Sequence, residues 1–364
     1  MKKNYLIRED PERASPSIEH PRGKTVGMDL GDRWSRYCVL DSGGEVVEED
    51  RVRTTAAGIG ARFGTMPATR IIIEAGTHSP WVSRQLTGYG HEVVVANARK
   101  VRLIYESDRK NDRLDARMLA RLGRVDVSLL SPIRHRSADV QADLAVIRSR
   151  NALVNARTQL INASRGMVKA MGGRLPKSTT GAFANKTAGE IPEPLRAALA
   201  PLVKSIRALS EQIERYDRQI ETLVEKKYPE TRVLRQVHGV GTLTALSYVL
   251  TLEDPAHFAT SRAVGCYLGL QPRQSQSGES APQLGISKSG NGYLRRLLVQ
   301  CAQYILGPFG RDSNLRRWGL QLASRGGKRS KKRAVVAVAR KLAVLLHHLW
   351  STGEVYQPLY AQAA

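Results

Sequence analysis

The sequence predicts a mixed α/β domain at its N-terminal end and a mainly α-helical remainder. Short β-branched runs broken by Gly, Asp and Ser recur between positions 25 and 95, and from position 137 onward apolar residues repeat at helical spacing. Charge adds a third observation. The chain carries 57 Lys and Arg against 33 Asp and Glu, a net +24 whose self-repulsion favours a polyanionic partner.

Residues 1–23 are charged, contain Pro and lack periodicity, which predicts a flexible leader. Thr25-Val26-Gly27-Met28-Asp29-Leu30 reads as a buried strand, and Arg36 to Leu40 as a second. After the turn Asp41-Ser42-Gly43-Gly44, Glu45 to Glu48 forms a third, completing an antiparallel meander. A fourth strand spans Arg70 to Glu74, a helix lies near Pro80 to Leu86, and a fifth strand spans Glu92 to Val95. A helix follows from Lys110-Asn111-Asp112-Arg113-Leu114-Asp115-Ala116. Three strands, then strand, helix, strand, helix, is the order of a ribonuclease-H-like domain, placed at residues 24–135.

Residues 136–228 form a helical region. One helix runs from Ser137 to about Met171 with Leu144, Ile147, Val154, Ile161 and Val168 on a stripe. Residues 172–196, rich in Gly, Pro, Ser and Thr, form a linker. In the second helix Leu202, Ile206, Leu209, Ile213, Tyr216, Ile220 and Leu223 alternate spacings of four and three, a coiled-coil seam. It suits an intramolecular hairpin or a dimerisation arm equally.

A third domain occupies residues 229–364. Val237-His238-Gly239-Val240-Gly241 opens a helix, either as a helix-hairpin-helix-like turn whose backbone N–H groups at Gly239 and Gly241 hold phosphate, or as a plain tight turn. A polar loop, Gly269 to Gly278, and a second one, Ile286 to Gly292, precede a helix with Arg295 and Arg296. Lys328, Arg329, Lys331, Lys332 and Arg333 lead into an apolar helix, Val335 to Trp350, and make a basic face for a phosphate backbone. Gly326-Gly327-Lys328 is no P-loop, because position 322 is not Gly and Arg329 stands in the Ser/Thr place.

Cys38, Cys266 and Cys301 lack disulfide or zinc spacing, in keeping with a reducing cytoplasm. Met1-Lys2-Lys3 is followed by polar residues, and Arg340 and Lys341 interrupt the longest apolar run. Neither a signal peptide nor a membrane span is expected.

Asp112 and Asp115 share one helix face, where like charges repel. Either a divalent cation holds them or they pair with Arg109, Lys110, Arg113 and Arg117 as a solvated surface. Asp29 lies at the centre or end of the first, apolar strand, where an uncompensated carboxylate is costly, and Glu74 closes the fourth strand at its carboxyl edge. If those strands are neighbours, the four acids converge. Oxygen-only ligands favour Mg²⁺ or Mn²⁺, and a pair of such ions holds a phosphodiester in line.

The motifs VGMDLG, IIIEAG and KNDRLDA resemble the Asp-Glu-Asp-Asp RuvC-like domain of insertion-sequence transposases of the IS one-ten family, with Asn111 where that family usually has Thr. The GVG turn, Gly269-Leu270-Gln271-Pro272, Ser277-Gly278 and Ser287-Lys288-Ser289-Gly290-Asn291 before Leu294-Arg295-Arg296 resemble its C-terminal domain. The resemblance runs from about Thr25 to about Gln357. It implies a prokaryotic, nucleoid-associated DNA recombinase that holds Mg²⁺ on Asp29, Glu74, Asp112 and Asp115. It also implies that Ser277 attacks the phosphodiester, with Ser275, Ser287 and Ser289 as other candidates. The implied partners are double-stranded DNA, a structured guide RNA and further copies of the chain, as a dimer or tetramer. Two alternatives stand beside it: a Holliday-junction-type endonuclease that activates water, and a non-catalytic nucleic-acid-binding protein whose acids form salt bridges. Gly27-Met28-Asp29-Leu30-Gly31 also fits the first phosphate motif of sugar kinases and actin, but no second one accompanies it.

Overall fold

The computed structural model describes residues 23–100, 111–187, 189–278, 280, 282, 284–327 and 329–359. The expected leader, Gly23 apart, and Arg109, Lys110 and Lys328 lie outside the described residues. The chain divides into two compact units, residues 1–136 and 137–364.

The first unit is built on a five-stranded sheet in the order β3-β2-β1-β4-β5. Its strands are β1 (Thr25–Asp29), β2 (Trp34–Leu40), β3 (Val46–Arg53), β4 (Arg70–Glu74) and β5 (Glu92–Ala96). β1, β2 and β3 form the expected antiparallel meander, while β4 runs parallel to β1 and β5 parallel to β4. β3 is longer than its apolar residues suggest, because Glu48-Glu49-Asp50-Arg51 continues as a charged edge strand. Between β3 and β4 lies α1 (Ala56–Phe63), started by the Thr55 side chain, which accepts a hydrogen bond from the Gly58 N–H. Gly58, Gly60 and Gly64 hide this helix from pattern analysis, and only Ile59 and Phe63 face the core.

Side chains alternate across the sheet. Val26, Met28, Tyr37, Val39, Ile71 and Ile73 pack on one face with α1 and with α2 (Ser79–Gly88). On the other face lies α3 (Asp112–Val125), whose Ala116 and Ala120 cover Cys38 and Leu40 and whose Leu119 meets Ile72. Two glycines allow this approach. A Cβ on Gly27 would stand 2.1 Å from the Ala116 carbonyl oxygen, and one on Gly123 would stand 2.2 Å from Ile72 Cγ1.

In the second unit α4 (Ala138–Ala170) packs against α6 (Glu193–Lys226). The linker between them contains α5 (Phe183–Thr187), whose Phe183 joins Ile161, Val168, Leu199, Val203 and Ile206 in a core of their own. Along α6, Ile206, Ile213 and Ile220 are buried, whereas Leu202, Leu209, Tyr216 and Leu223 are half-buried. The seam therefore buries its inner row within one chain, as a helical hairpin.

The remaining helices are α7 (Thr231–Leu234), α8 (Thr242–Leu252), α9 (Ser261–Tyr267), α10 (Gly292–Leu306), α11 (Asn314–Ser324) and α12 (Ser330–Thr352). They share one core that includes Leu246, Leu250, Leu298, Val338, Leu342 and Leu346. The Tyr248 hydroxyl, within that core, donates to the Ala343 carbonyl at 2.6 Å. By length and composition α12 is apolar enough to cross a membrane, yet Val338, Ala339, Leu342, Ala343 and Leu346 are fully covered by neighbouring helices.

Candidate active site

β1 and β4 are parallel neighbours, and Met28 paired with Ile73 is their last registered pair. Asp29 and Glu74 come next, at the carboxyl ends of adjacent strands. Gly27 and Ile72 face α3, so a period of two turns Asp29 and Glu74 toward the same side. Helix α3 begins at Asp112, and the Asn111 side chain accepts a hydrogen bond from the Arg113 N–H at 3.0 Å as its N-cap. Asn111, a good N-cap residue, fills the place of the expected Thr. Asp112 and Asp115 lie in the first turn, where the positive end of the helix dipole favours carboxylates.

All four acids thus stand on one side of the sheet, near its carboxyl edge. They are not drawn into a single tight group. Among the described residues no set of three or more His, Cys, Asp or Glu side chains lies at metal-binding distance. Asp29, Glu74 and Asp115 each have an interaction partner where they stand, and Asp112 is exposed. The donor set, all carboxylate and carried on three elements, suits a hard divalent cation.

Glu49, which the sequence does not single out, organises the neighbouring arginines. It lies on β3 opposite Cys38, and only 8% of its side chain is exposed. Arg117 Nε donates to it at 2.8 Å, Arg117 Nη2 at 2.9 Å, and Arg113 Nε at 2.6 Å. The Arg117 hydrogen bonds, opposed by burial and reinforced by Arg113, lower the Glu49 carboxyl to about 2. Burial pushes the neighbouring Cys38 thiol up to about 11. Arg113 and Arg117 thus find their carboxylate on β3, which separates them from the solvated-surface pairing with Asp112 and Asp115.

In the second unit Ser277 is exposed at the tip of a hairpin. Its N–H donates to the Ser280 carbonyl at 3.1 Å, and the Ser280 N–H donates back at 3.0 Å. Gly278, at φ +53°, makes the turn between them. The base of this hairpin is closed by Arg273 N–H to Gly285 carbonyl at 3.0 Å and Ser287 N–H to Gln271 carbonyl at 2.9 Å. Ser287 and Ser289 share a hydroxyl hydrogen bond of 2.9 Å beside that base, away from the tip.

The Ser-Lys-x-Gly-Asn segment is a backbone lock. Gly269 has φ +66°, and an added Cβ would meet the Ser289 oxygen at 2.3 Å. Gly290 has φ +70°, and its Cβ would meet the Tyr267 oxygen at 2.1 Å. Arg295 Nη1 donates to the Leu268 and Ser289 carbonyls at 2.8 and 2.6 Å, so one end of this expected phosphate contact is engaged in holding the loop. Asn291 caps α10 through the Tyr293 and Leu294 N–H groups. Lys288 is exposed and held at φ +57°, and Arg296 lies 5.5 Å from the Tyr293 ring.

At the GVG turn Gly239 has φ +98°, its Cα side closed by Tyr304 and Ile305, and Gly241 is the extended N-cap of α8. These features account for a tight turn between α7 and α8. Farther on, Arg329, Lys331, Lys332 and Arg333 are exposed around the N-terminus of α12, where cations oppose the helix dipole.

The same two blocks of motifs match known families. A model described as a transposase, of the IS110 Asp-Glu-Asp-Asp type, matches residues 26–172. A model described as Transposase IS116/IS110/IS902 family matches residues 231–312. The chain is 28% identical to the transposase for insertion sequence element IS1111A of Coxiella burnetii, over 92% of this chain and 91% of that protein. It is also 28% identical to the transposase for IS1328 of Yersinia enterocolitica, over 79% and 85% of the two chains. A pilin gene-inverting protein of Moraxella lacunata is 30% identical over 41% of this chain and 48% of its own length. With both models matched in order, the chain belongs to the IS110 family of transposases and is a DNA transposase.

Proposed function

We propose that this transposase cuts and rejoins double-stranded DNA by phosphoryl transfer to Ser277, with Asp29, Glu74, Asp112 and Asp115 holding Mg²⁺ or Mn²⁺. The observation that carries this is Asp29 and Glu74 ending adjacent parallel strands on the face covered by the helix that starts with Asp112 and Asp115. When bound, the cation neutralises charge that develops on the phosphate. The chain's own part is to fix the acids on rigid elements and to present a serine hydroxyl on a narrow hairpin tip.

In the transfer, the Ser277 Oγ–P bond forms as one backbone P–O ester bond breaks. The serine loses its hydroxyl proton and the released sugar oxygen gains one. Because a phosphoserine ester preserves the energy of the diester, the reverse attack by a sugar hydroxyl on another strand rejoins DNA without a nucleotide cofactor. A relative named for inverting a gene supports rejoining over simple cutting, which sets this reading above a water-activating endonuclease. The cations that crowd the α12 N-terminus against its dipole support phosphate contact there. Gly239, Gly241, Lys288, Arg295 and Arg296 complete the proposed nucleic-acid contacts. We also assign a structured guide RNA as the source of sequence choice, and homo-oligomerisation through the half-buried row Leu202, Leu209, Tyr216 and Leu223.

The test is excision of the element from a plasmid, with DNA binding measured separately in Ca²⁺. Asp29→Asn, Glu74→Gln and Asp112→Asn should each lower excision by about a hundredfold or more while binding persists. Full excision by Asp112→Asn, or excision without any divalent cation, overturns the metal site.

A further inference from the structure

We infer that a second set of residues, Trp34, Arg36, Arg51 and Arg53, is a phosphate-binding track for the DNA strand that is cut. It continues the sheet row of Asp29 out to the edge strand. The inference rests on the proposed acid site.

The register places these residues. Asp29 pairs with Arg36 across β1 and β2, Arg36 pairs with Arg51 across β2 and β3, and Trp34 pairs with Arg53 one step farther along. The opposite face takes Tyr37, Val39 and Val52 into the core with α1. Alternation therefore puts Trp34, Arg36, Arg51 and Arg53 on the side of Asp29. Strands lie about 4.8 Å apart, so Arg36 and Arg51 stand roughly 5 and 10 Å from the Asp29 position along the row. That range covers the one or two phosphates that flank a bond held at Asp29.

The chemistry of the cluster is that of an anion site. Arg51 and Arg53 each hold their guanidinium carbon 4.6 Å from the centroid of the Trp34 ring. An arginine stacked on a ring keeps its N–H groups at the rim, free to grip a phosphate. Arg51, Arg53 and Trp34 are exposed, and Arg36 is half-buried. No carboxylate pairs with Arg36, Arg51 or Arg53 among the described residues. Four arginines of the same unit do find acids, Arg62 with Glu48, Arg70 with Glu92, and Arg113 and Arg117 with Glu49. Three like charges left together, Arg51 and Arg53 on the edge strand β3 and Arg36 beside them on β2, repel one another, and a polyanion removes that repulsion. Their continuity with the row of Asp29 selects the DNA strand under cleavage as that polyanion, ahead of RNA bound elsewhere.

The experiment is a methylphosphonate scan of a duplex that spans an element end, with full-length protein and binding measured in Ca²⁺. The bond that the wild-type protein cleaves is mapped first in Mg²⁺. Neutralising a phosphate within about three nucleotides of that bond should weaken wild-type binding several-fold. In Arg51→Gln/Arg53→Gln those positions should fall silent while the rest of the scan is unchanged, and Trp34→Ala should reproduce the loss in part. An interference pattern identical in wild type and the double variant overturns the track. So does silencing only at positions remote from the cleaved bond, or on RNA substituted in the same way. Because the scan reads binding, it decides the track even if Asp29→Asn cleaves normally, a result that would instead refute the acid site.

Discussion

Glu49 and Arg117 form a bidentate pair, with Nε–Oε1 at 2.8 Å and Nη2–Oε2 at 2.9 Å, that ties the edge strand to the helix bearing Asp112 and Asp115. Its carboxyl, lowered from an ordinary 4.5 to about 2, links the pair to pH. A folded-state value below the unfolded one means that the stabilisation is complete above about pH 4.5 and is lost as pH falls toward 2. Glu49→Gln should lower stability by about 2 kcal/mol at neutral pH. It should also flatten the acid limb of a urea-denaturation series between about pH 4.5 and 2, the window the two values span. An unchanged acid limb would show that the pair is not formed in solution.

Gly27→Ala should be among the most damaging single-methyl changes in the chain. The new Cβ would stand 2.1 Å from the Ala116 oxygen and 2.3 Å from the Ala120 nitrogen, both backbone atoms that no rotamer change can move. Overpacking of this kind costs about 1–3 kcal/mol or more. It would also lift the first turn of α3 away from Asp29. A thermal melt and an excision assay should both fall, and Gly76→Ala, which meets nothing within 4 Å, is the matched control.

Much of this was legible in the sequence, for reasons that differ by element. The strand order followed from β1, β2 and β4, whose apolar runs are bounded by Gly and charge, and Asp29 and Glu74 stood out because an acid ends each run. α1 was hidden because two of its eight residues are glycine. Glu49 was hidden because Glu48-Glu49-Asp50 reads as solvated charge, and only the β2–β3 register shows that Glu49 turns inward under α3. The seam of α6 was visible, but spacing cannot tell which chain covers it. In the Ser-Lys-x-Gly-Asn block, the roles of Gly290 and Asn291 as a left-handed turn and an N-cap require the neighbouring backbone of Tyr267 to be seen.

Gly269→Ala separates loop geometry from stability. Its φ of +66° and the contact with Ser289 force the Ser287–Gly290 loop to move, while the core helices α8, α10 and α12 keep their packing. Excision should fall at least tenfold, roughly the cost of a small misplacement of reacting groups, with a smaller effect on the melting temperature. A large stability loss with unaltered specific activity of the folded fraction would assign Gly269 a purely structural part.

Lys331, Lys332 and Arg333 invite a prediction in which stability and binding move in opposite directions. Replacing all three with Gln removes cations from the N-terminus of α12, which should stabilise the helix by about 0.3–1 kcal/mol per charge. If each neutralises one phosphate, the slope of log binding constant against log salt should become shallower by about 0.9 per residue. Loss of stability, or an unchanged slope, contradicts the assignment.

In the proposed reaction the carboxylates of the first unit serve a serine rather than a water. The direct measurement is protease digestion and mass spectrometry of protein trapped on a duplex with a nicked element end in Mg²⁺. A nucleotide-bearing peptide whose modified residue is Ser277, absent from Ser277→Ala and from Asp112→Asn although both bind DNA, is the predicted result. Cleavage with no covalent peptide, or an adduct that persists in Ser277→Ala, would contradict it.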